Sequence, residues 1–189
     1  MRRYAGVALV AVLAVLGWWQ SDLVVAPGNA SVPEEYAFQL SGKVVHVADG
    51  DSFTLQVRGH RESIRMASID APETHKSNDR PGQPLAKASR RSLAALIQGK
   101  QLTVYCYERD HYQRSICDVP LAQGKTANQL QVMKGMAWAN MEGRGKFMRD
   151  LSLPSLQEKA RQQKEGLWKE KNQVQPWVWR YQCWKQKQC

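Results

Sequence analysis

The sequence lacks the motifs that mark several large protein classes. No internal repeat and no glycine-rich phosphate loop is visible, so neither a repeat protein nor a P-loop protein is indicated. The four cysteines show no CxxC spacing and the four histidines are scattered, which argues against a structural zinc site. Acidic residues are in the minority, with 17 Asp and Glu against 27 Lys and Arg, and the net charge is +10. A chain this basic suits a polyanionic partner, either nucleic acid or an anionic membrane surface.

The remaining composition is that of a globular protein. Hydrophobic residues make up 43% and charged residues 23% of the 189 positions, which excludes wholesale disorder. This length suits one domain with appendages. The chain has a single strongly apolar run, so a polytopic membrane protein is excluded as well.

That apolar run lies at the N-terminus, where residues 4–21 carry no charge and directly follow Arg2 and Arg3. As a helix the run would be about 27 Å long, just short of a hydrocarbon core of about 30 Å. Residues 1–21 therefore fit either a cleaved signal peptide or an uncleaved signal anchor. A buried core helix fits poorly because the run has no polar face. We expect an exported protein, periplasmic or secreted, which an uncleaved segment would tether to the inner membrane.

Two further features agree with export. Proline and glycine in residues 22–36 predict a linker after the apolar run. The number of cysteines is even, which favours disulfides in an exported chain. Three pairings are possible for these four residues: Cys106, Cys117, Cys183 and Cys189.

Between the linker and the tail, the hydrophobic pattern predicts five strands and about three helices. Alternating apolar residues from about Phe38 predict three consecutive antiparallel strands, the last continuing through Ile69. A mobile loop is expected at residues 75–84. The other predicted elements are a helix at 85–97, strands at 101–108 and 114–120, and helices at 128–134 and 155–165, the last being the final helix. This order is typical of an α+β protein with a small barrel decorated by helices.

Acidic residues fall at two points that such a meander brings together. Asp51 closes the first strand pair, and Asp70 and Glu73 follow the end of the third strand. Hard divalent cations bind several carboxylate oxygens together with carbonyls and water. Two carboxylates and a carbonyl would form an open, water-rich site suited to hydrolysis. Asp-Gly-Asp is also a common turn, so these residues alone indicate a metal site only weakly.

Several motifs together resemble the staphylococcal nuclease (thermonuclease-like) family. They are residues 47–53 (VADGDSF), 64–73 (IRMASIDAPE), 110–114 (DHYQR), 133–138 (MKGMAW) and 166–168 (GLW). Their order and spacing match over about 130 residues. The resemblance implies an OB-fold domain at residues 37–170, which leaves residues 171–189 as a basic tail containing tryptophan and cysteine. Basic and aromatic residues suit contact with nucleic acid, although these aromatics could equally pack the tail onto the barrel.

The resemblance also implies a Ca²⁺-dependent nuclease that acts on DNA and RNA. Carried over position by position, Asp51 and Asp70 are the carboxylate ligands of the metal, and Ala71 offers its backbone carbonyl. Glu73 orients or deprotonates the attacking water. The guanidiniums of Arg65 and Arg114 hold the phosphate, which suits their planar, permanently charged forks.

One departure from the family concerns Gln113, because the prototype has glycine directly before the second arginine. Glycine tolerates a positive φ and glutamine does so poorly, so the loop that presents Arg114 is expected to differ. If Cys106 and Cys117 lie on the paired strands that flank this loop, they face each other within disulfide range. Cys183 and Cys189 would then close the tail.

Other interpretations remain for the same residues. Arg65 could be an ordinary surface charge, and Arg114 could form a hairpin salt bridge with Asp110. The chain could be a non-catalytic nucleic-acid-binding OB-fold module, although no expected catalytic residue is missing. A basic structural protein at a membrane surface would leave the acidic and arginine residues unused. The sequence carries no indication of an oligomeric state, and we expect a monomer.

Overall fold

The computed structural model describes residues 33–122 and 124–189. The predicted export segment at residues 1–21 and most of the linker lie outside the described residues. The two described ranges contain seven strands: β1 (Phe38–Val47), β2 (Ser52–Val57), β3 (His60–Met66), β4 (Ile69–Asp70), β5 (Gln101–Arg109), β6 (Ser115–Asp118) and β7 (Trp138–Ala139). Five of them close into a barrel in the order β1-β2-β3-β6-β5. This topology confirms the expected α+β fold with a five-stranded OB-fold barrel.

The predicted meander is confirmed, because β2 pairs antiparallel with both β1 and β3. The prediction that β3 continues through Ile69 is wrong. The strand ends at Met66, and Ser68 adopts a left-handed conformation with a φ of +64°. Because this residue turns the chain away from the barrel, Ile69 and Asp70 form β4 and pair with β7 instead. The turn places Asp70 in a separate two-stranded ribbon.

Helices pack against the barrel, and helical segments also follow the last helix predicted from the sequence. They are α1 (Ala86–Ile97), α2 (Ala127–Met133), α3 (Glu142–Gly145), α4 (Leu153–Gln162) and α5 (Pro176–Trp179). A 3₁₀ turn (Gly166–Lys169) follows α4, and a π-helical turn (Arg180–Lys185) follows α5. The part of the chain that the structure describes has five helices where about three were predicted, and α4 is not the final helix. The helices that sequence reasoning missed have only four residues each, too few to show a helical hydrophobic period.

The core fills the barrel and the space beneath the helices. Residues such as Phe53, Leu55 and Ile64 point from adjacent strands into the barrel and are fully buried. Leu93 on α1 and Leu153 on α4 belong to the same buried cluster. No helix within residues 33–122 or 124–189 is long and apolar enough to cross a membrane.

Two of the sequence motifs meet through a backbone contact between glycines. Gly135 ends α2 with a φ of +60°, and Gly166 begins the 3₁₀ turn with a φ of +47°. The carbonyl of Gly135 accepts a hydrogen bond of 2.9 Å from the amide of Leu167. A Cβ atom on Gly135 would lie 2.2 Å from the carbonyl oxygen of Glu165, so this approach has no room for a side chain. The contact holds α4 and the residues after it against the barrel.

Both disulfides form as expected. Cys106 on β5 lies directly opposite Cys117 on β6, with a Cα–Cα distance of 3.9 Å, and the two are bonded. Cys183 and Cys189 are also bonded and close the C-terminal tail. The first disulfide joins the strands that flank the loop presenting Arg114.

Candidate active site

Asp51 lies in the turn between β1 and β2, and this turn is held from behind by helices. A Cβ atom on Gly50 would lie 1.8 Å from the hydroxyl oxygen of Ser89 on α1, so only glycine fits there. The buried amide of Gln131 on α2 donates a 2.7 Å hydrogen bond to the carbonyl of Gly50. These contacts fix the turn, and with it the direction in which Asp51 projects.

Asp70 is only 1% exposed and lies on β4, opposite Trp138. The residue after it ties this ribbon to the first turn, because the amide of Ala71 donates a 2.5 Å hydrogen bond to Oδ2 of Asp51. The two segments that carry Asp51 and Asp70 are therefore joined directly. The two carboxylates converge as predicted, and this contact between backbone and side chain is one of those that hold them together.

Arg65 on β3 binds both carboxylates with one guanidinium. Its Nη2 atom lies 2.8 Å from Oδ1 of Asp70, and its Nη1 atom pairs with Oδ2 of Asp51. The arginine side chain is only 14% exposed, so this is not the surface charge that one interpretation allowed. A guanidinium shared by two buried carboxylates offsets much of the repulsion between them.

Glu73 follows the ribbon and is held by Gln83. Its backbone N–H donates to Oε1 of Gln83 at 3.0 Å, and its backbone carbonyl accepts from the backbone N–H of Gln83 at 2.8 Å. Burial raises the pKa of the Glu73 carboxyl above its ordinary value, while the hydrogen bond and charge of Arg180 lower it. The net direction is upward, which makes Glu73 a better proton acceptor once it is ionised.

Arg114 follows a tight turn that begins at Asp110. The guanidinium of Arg114 pairs with the carboxylate of Asp110 at 2.7 Å, as the hairpin salt bridge considered from the sequence requires. Gln113 has a φ of +63°, the left-handed conformation that glycine adopts more easily. Glutamine here adopts the positive φ that it was expected to tolerate poorly, and how far this loop departs from that of the family stays a prediction.

A cavity of about 650 Å³ unites these groups. Its lining includes all six residues singled out from the sequence: Asp51, Arg65, Asp70, Ala71, Glu73 and Arg114. Additional basic groups, among them Arg149 and Arg180, lie along the same walls. The cavity thus presents carboxylates and guanidiniums to one open space, which is suited to a phosphate ester and to water.

Sequence reasoning missed Arg180, which reaches the cavity from the C-terminal tail. Its Nη1 atom donates to Oε1 of Glu73 at 2.6 Å, and its Nη2 atom donates to Oδ2 of Asp70 at 2.9 Å. Arg180 lies 107 and 110 positions from these partners, outside every motif. The only signal in the sequence was the basic and aromatic character of the tail.

The oxygen donors fit a hard divalent cation, which prefers carboxylates, carbonyls and water. Among the described residues, no group of three or more His, Cys, Asp or Glu side chains is arranged to hold a metal ion. The expected ligand set is smaller, with two carboxylates and the carbonyl of Ala71, and water would complete it. The oxygens of Asp51 and Asp70 bind guanidiniums in this structure, and both carboxylates face the cavity.

The closed five-stranded barrel and its cavity of carboxylates and arginines define an OB-fold protein with a site suited to phosphodiesters. Comparison with known proteins agrees, since residues 63–170 match the family model described as Staphylococcal nuclease homologue. This chain belongs to the staphylococcal nuclease family. Nuclease is therefore the class of enzyme that the family indicates, with nucleic acid as its substrate.

Similar proteins cover most of the chain. An "Uncharacterized endonuclease" of Escherichia coli O157:H7 is 38% identical over 144 residues, which are 75% of this chain and 86% of the relative. A "Micrococcal nuclease" of Shigella flexneri is 34% identical over 158 residues, 79% of this chain and 84% of that protein. The "Protein ParB" of Escherichia coli is 30% identical over 188 residues, 95% of this chain and 93% of that protein.

Proposed function

We propose that this protein is an exported, Ca²⁺-dependent nuclease that hydrolyses phosphodiester bonds of DNA and RNA with little sequence specificity. The observation that carries the proposal is the meeting of Asp51, Asp70 and Glu73 with Arg65 and Arg114 in one cavity. Residues that lie far apart in the chain supply the acidic and basic groups that phosphodiester hydrolysis requires. The cavity offers guanidiniums, which bind phosphate oxygens, so the phosphate backbone is the feature recognised in this proposal.

The arginines stabilise charge on the phosphate. Negative charge is spread over the non-bridging phosphate oxygens as water attacks, and guanidiniums aimed at those oxygens lower the barrier. Arg65 and Arg114 have this role in the proposal. A guanidinium is planar and can donate two hydrogen bonds to one phosphate. In the structure they bind carboxylates, which keeps them on the cavity wall until a phosphate takes over some of those hydrogen bonds.

Glu73 removes the proton from the attacking water. The water oxygen forms a bond to phosphorus, the proton passes to the carboxylate of Glu73, and the bond from phosphorus to the leaving oxygen breaks. The leaving oxygen then takes up a proton from solvent water, and Glu73 returns its proton to solvent. The raised pKa of Glu73 supports this role, and the hydrogen bonds between the Glu73 backbone and Gln83 hold its main chain in place.

A bound Ca²⁺ would supply positive charge beside the phosphate and would orient the attacking water. Asp51 and Asp70 would hold it through their carboxylates, and Ala71 through its carbonyl. These are hard oxygen donors of the kind that Ca²⁺ accepts. The hydrogen bond from the amide of Ala71 to Asp51 keeps the first carboxylate in position for that role.

The test is cleavage of plasmid DNA, single-stranded DNA and RNA by the full-length protein, with Ca²⁺ and with a chelator. We expect cleavage of all three substrates with Ca²⁺ and its loss with the chelator. Glu73→Gln should reduce kcat by about 10²- to 10⁴-fold and leave nucleic-acid affinity within about threefold of wild type. Glu158→Gln is the matched control, because it makes the same chemical change on an exposed face of α4.

Two results would contradict the proposal. Binding of nucleic acid without cleavage under any divalent cation would identify a non-catalytic binding module. Equal activity of Glu73→Gln and Glu158→Gln would remove Glu73 from the reaction.

The proposal of export is supported by the uncharged run at residues 4–21 and by two disulfides, one in the barrel and one in the C-terminal tail. Fractionation of cells, followed by intact-mass measurement of the protein, tests it. We expect the protein outside the cytoplasm with both disulfides oxidised. Its mass then shows whether residues 1–21 have been removed or serve as an inner-membrane anchor.

A further inference from the structure

The end of the chain forms a segment that lies beside the active-site cavity, which we call the C-terminal strap (residues 174–189). It begins where the side-chain amide of Gln83 donates a 2.8 Å hydrogen bond to the carbonyl of Val174. Gln83 also binds the backbone of Glu73. The strap is thus anchored to the same side chain that holds the proposed catalytic base.

Two tryptophans fasten the strap to the loop after Glu73. The indole nitrogens of Trp179 and Trp184 both donate to the carbonyl oxygen of Pro81, at 3.1 and 2.9 Å. Lys187 pairs with Asp79 on the same loop at 3.4 Å. These contacts join the strap to the loop at residues 75–84, which the sequence predicted to be mobile. None of these contacts involves Arg180, so the strap has its own attachment to the loop.

Arg180 projects from the strap into the cavity and donates hydrogen bonds to both carboxylate oxygens of Asp70. Its Nη1 atom lies 3.2 Å from Oδ1, and its Nη2 atom lies 2.9 Å from Oδ2. The same Nη1 atom donates to Glu73 at 2.6 Å, and Glu142 lies 3.7 Å from Nη2. Arg65 already binds Oδ1 of Asp70. Both oxygens of this nearly inaccessible carboxylate are therefore engaged by guanidiniums.

A divalent cation and a guanidinium cannot occupy the same face of one carboxylate. Both are positively charged, and both use the oxygen lone pairs that project into the cavity. Whichever binds Asp70 must displace the other or be displaced by it. Residues 174–189 contain three Lys or Arg and no Asp or Glu, so the carboxylates that line the cavity attract the strap electrostatically.

We propose that the C-terminal strap is an autoinhibitory element, in which Arg180 competes with the divalent cation for Asp70. This inference rests on the proposed function, which makes Asp70 a cation ligand. Cation binding then requires that the guanidinium leave Asp70, so the measured affinity is the intrinsic affinity reduced by the fraction of molecules in which Arg180 has withdrawn. The strap remains tied to the loop through Trp179 and Trp184 while Arg180 moves. The family model ends at residue 170, before the strap begins.

The experiment measures Ca²⁺ affinity by titration calorimetry on the full-length protein without nucleic acid. We expect Arg180→Ala to bind Ca²⁺ at least about tenfold more tightly than wild type, which corresponds to Arg180 occupying Asp70 about nine-tenths of the time. Lys185→Ala is the matched control, because it removes one positive charge from the strap at a residue that does not line the cavity. It should change the affinity by less than about twofold, since an exposed charge is screened.

A second variant keeps the test valid if Arg180→Ala disturbs folding. Arg180→Lys preserves the charge and cannot bind both oxygens of Asp70 in the planar, bidentate manner of arginine. We expect it to bind Ca²⁺ several-fold more tightly than wild type. Near-ultraviolet circular dichroism of the tryptophans should match wild type in each variant used for comparison.

The outcomes separate the strap from the proposed function. Asp70→Asn is expected to abolish Ca²⁺ binding, which tests the proposed ligand itself. If Asp70→Asn abolishes binding while Arg180→Ala and Arg180→Lys leave the affinity equal to wild type or weaker, autoinhibition is overturned and the proposed ligand stands. If Asp70→Asn binds Ca²⁺ as tightly as wild type, the ligand assignment fails, and the competition proposal fails with it.

Discussion

Arg114 binds Asp110 through two nitrogens of its guanidinium, with Nε at 2.8 Å and Nη2 at 2.7 Å from the same carboxylate oxygen. The other oxygen of Asp110 accepts hydrogen bonds of 2.9 Å from the amides of Tyr112 and Arg114. One carboxylate therefore shapes the turn and directs the arginine that the turn presents to the cavity. Asp110 itself contacts no substrate in the proposed reaction and acts by positioning Arg114.

Replacing Asp110 with asparagine should lower kcat/KM for DNA about tenfold, or about 1.4 kcal/mol. The amide oxygen of asparagine can still accept from the turn, whereas its amide nitrogen cannot accept from the Arg114 guanidinium. Steady-state cleavage of a labelled oligonucleotide measures the effect, with Glu158→Gln as the control for loss of a charge outside the cavity. Unchanged kcat/KM in Asp110→Asn would show that Arg114 needs no such support.

The same carboxylate makes stability depend on pH. Burial alone would raise the pKa of Asp110, but the hydrogen bonds from Arg114 outweigh it and hold the pKa below its ordinary value. An aspartate of the unfolded chain takes up its proton near pH 3.9. Ionised Asp110 therefore stabilises the folded protein above that pH, and this contribution is lost as the pH falls through the lower pKa of the folded state.

We accordingly expect the difference in free energy of unfolding between wild type and Asp110→Asn to be constant from about pH 5 to 7 and to shrink below about pH 4. Urea unfolding at a series of pH values measures it. A difference that grows on acidification would contradict the assigned direction of the pKa shift.

Gln113 offers a stabilising substitution. Its φ of +63° disfavours any residue with a Cβ atom, so Gln113→Gly should raise the free energy of unfolding by up to about 1 kcal/mol. Gln113→Ala is the matched control, because it removes the side chain and keeps the unfavourable Cβ. Urea unfolding should show a gain for glycine alone. An equal gain for alanine would mean that the glutamine side chain, and not the backbone conformation, is the source of the cost.

Gly135→Ala should destabilise the protein by about 2–5 kcal/mol, since the new Cβ would clash with the backbone of Glu165 and φ is positive. Gly99→Ala provides the comparison, because Gly99 has a φ of +76° and no atom within 4 Å of the position a Cβ would occupy. For Gly99→Ala the free energy of unfolding should fall only by the cost of the positive φ, about 1–2 kcal/mol. Thermal and urea unfolding measure both. Equal losses would show that the close approach at Gly135 costs nothing.

The disulfide between Cys106 and Cys117 should contribute about 3 kcal/mol, as expected for a closed loop with a sequence separation of 11. The double variant Cys106→Ala/Cys117→Ala should therefore unfold at lower urea concentration than oxidised wild type. Wild type treated with reductant before unfolding is the control, and its stability should fall as well. A double variant as stable as the oxidised protein would exclude this contribution.

The sequence alone determined the barrel strands, the turn that carries Asp51 and the pairing of Cys106 with Cys117. These features depend on local patterns, namely alternating apolar residues and turn residues at strand ends, and on the spacing of two cysteines about one hairpin. The motifs also brought six site residues to attention, and the structure places all six around one cavity. Their individual roles remain predictions.

The tertiary structure alone decided how the chain turns at Ser68 and where the C-terminal strap lies. A left-handed residue inside a run of alternating side chains leaves no mark on hydrophobic periodicity, so the end of β3 could not be read from the pattern. The contact between Arg180 and Asp70 spans 110 positions and involves a single side chain. Such a contact arises from the packing of the strap against the loop at residues 75–84, and only the folded chain brings these parts together.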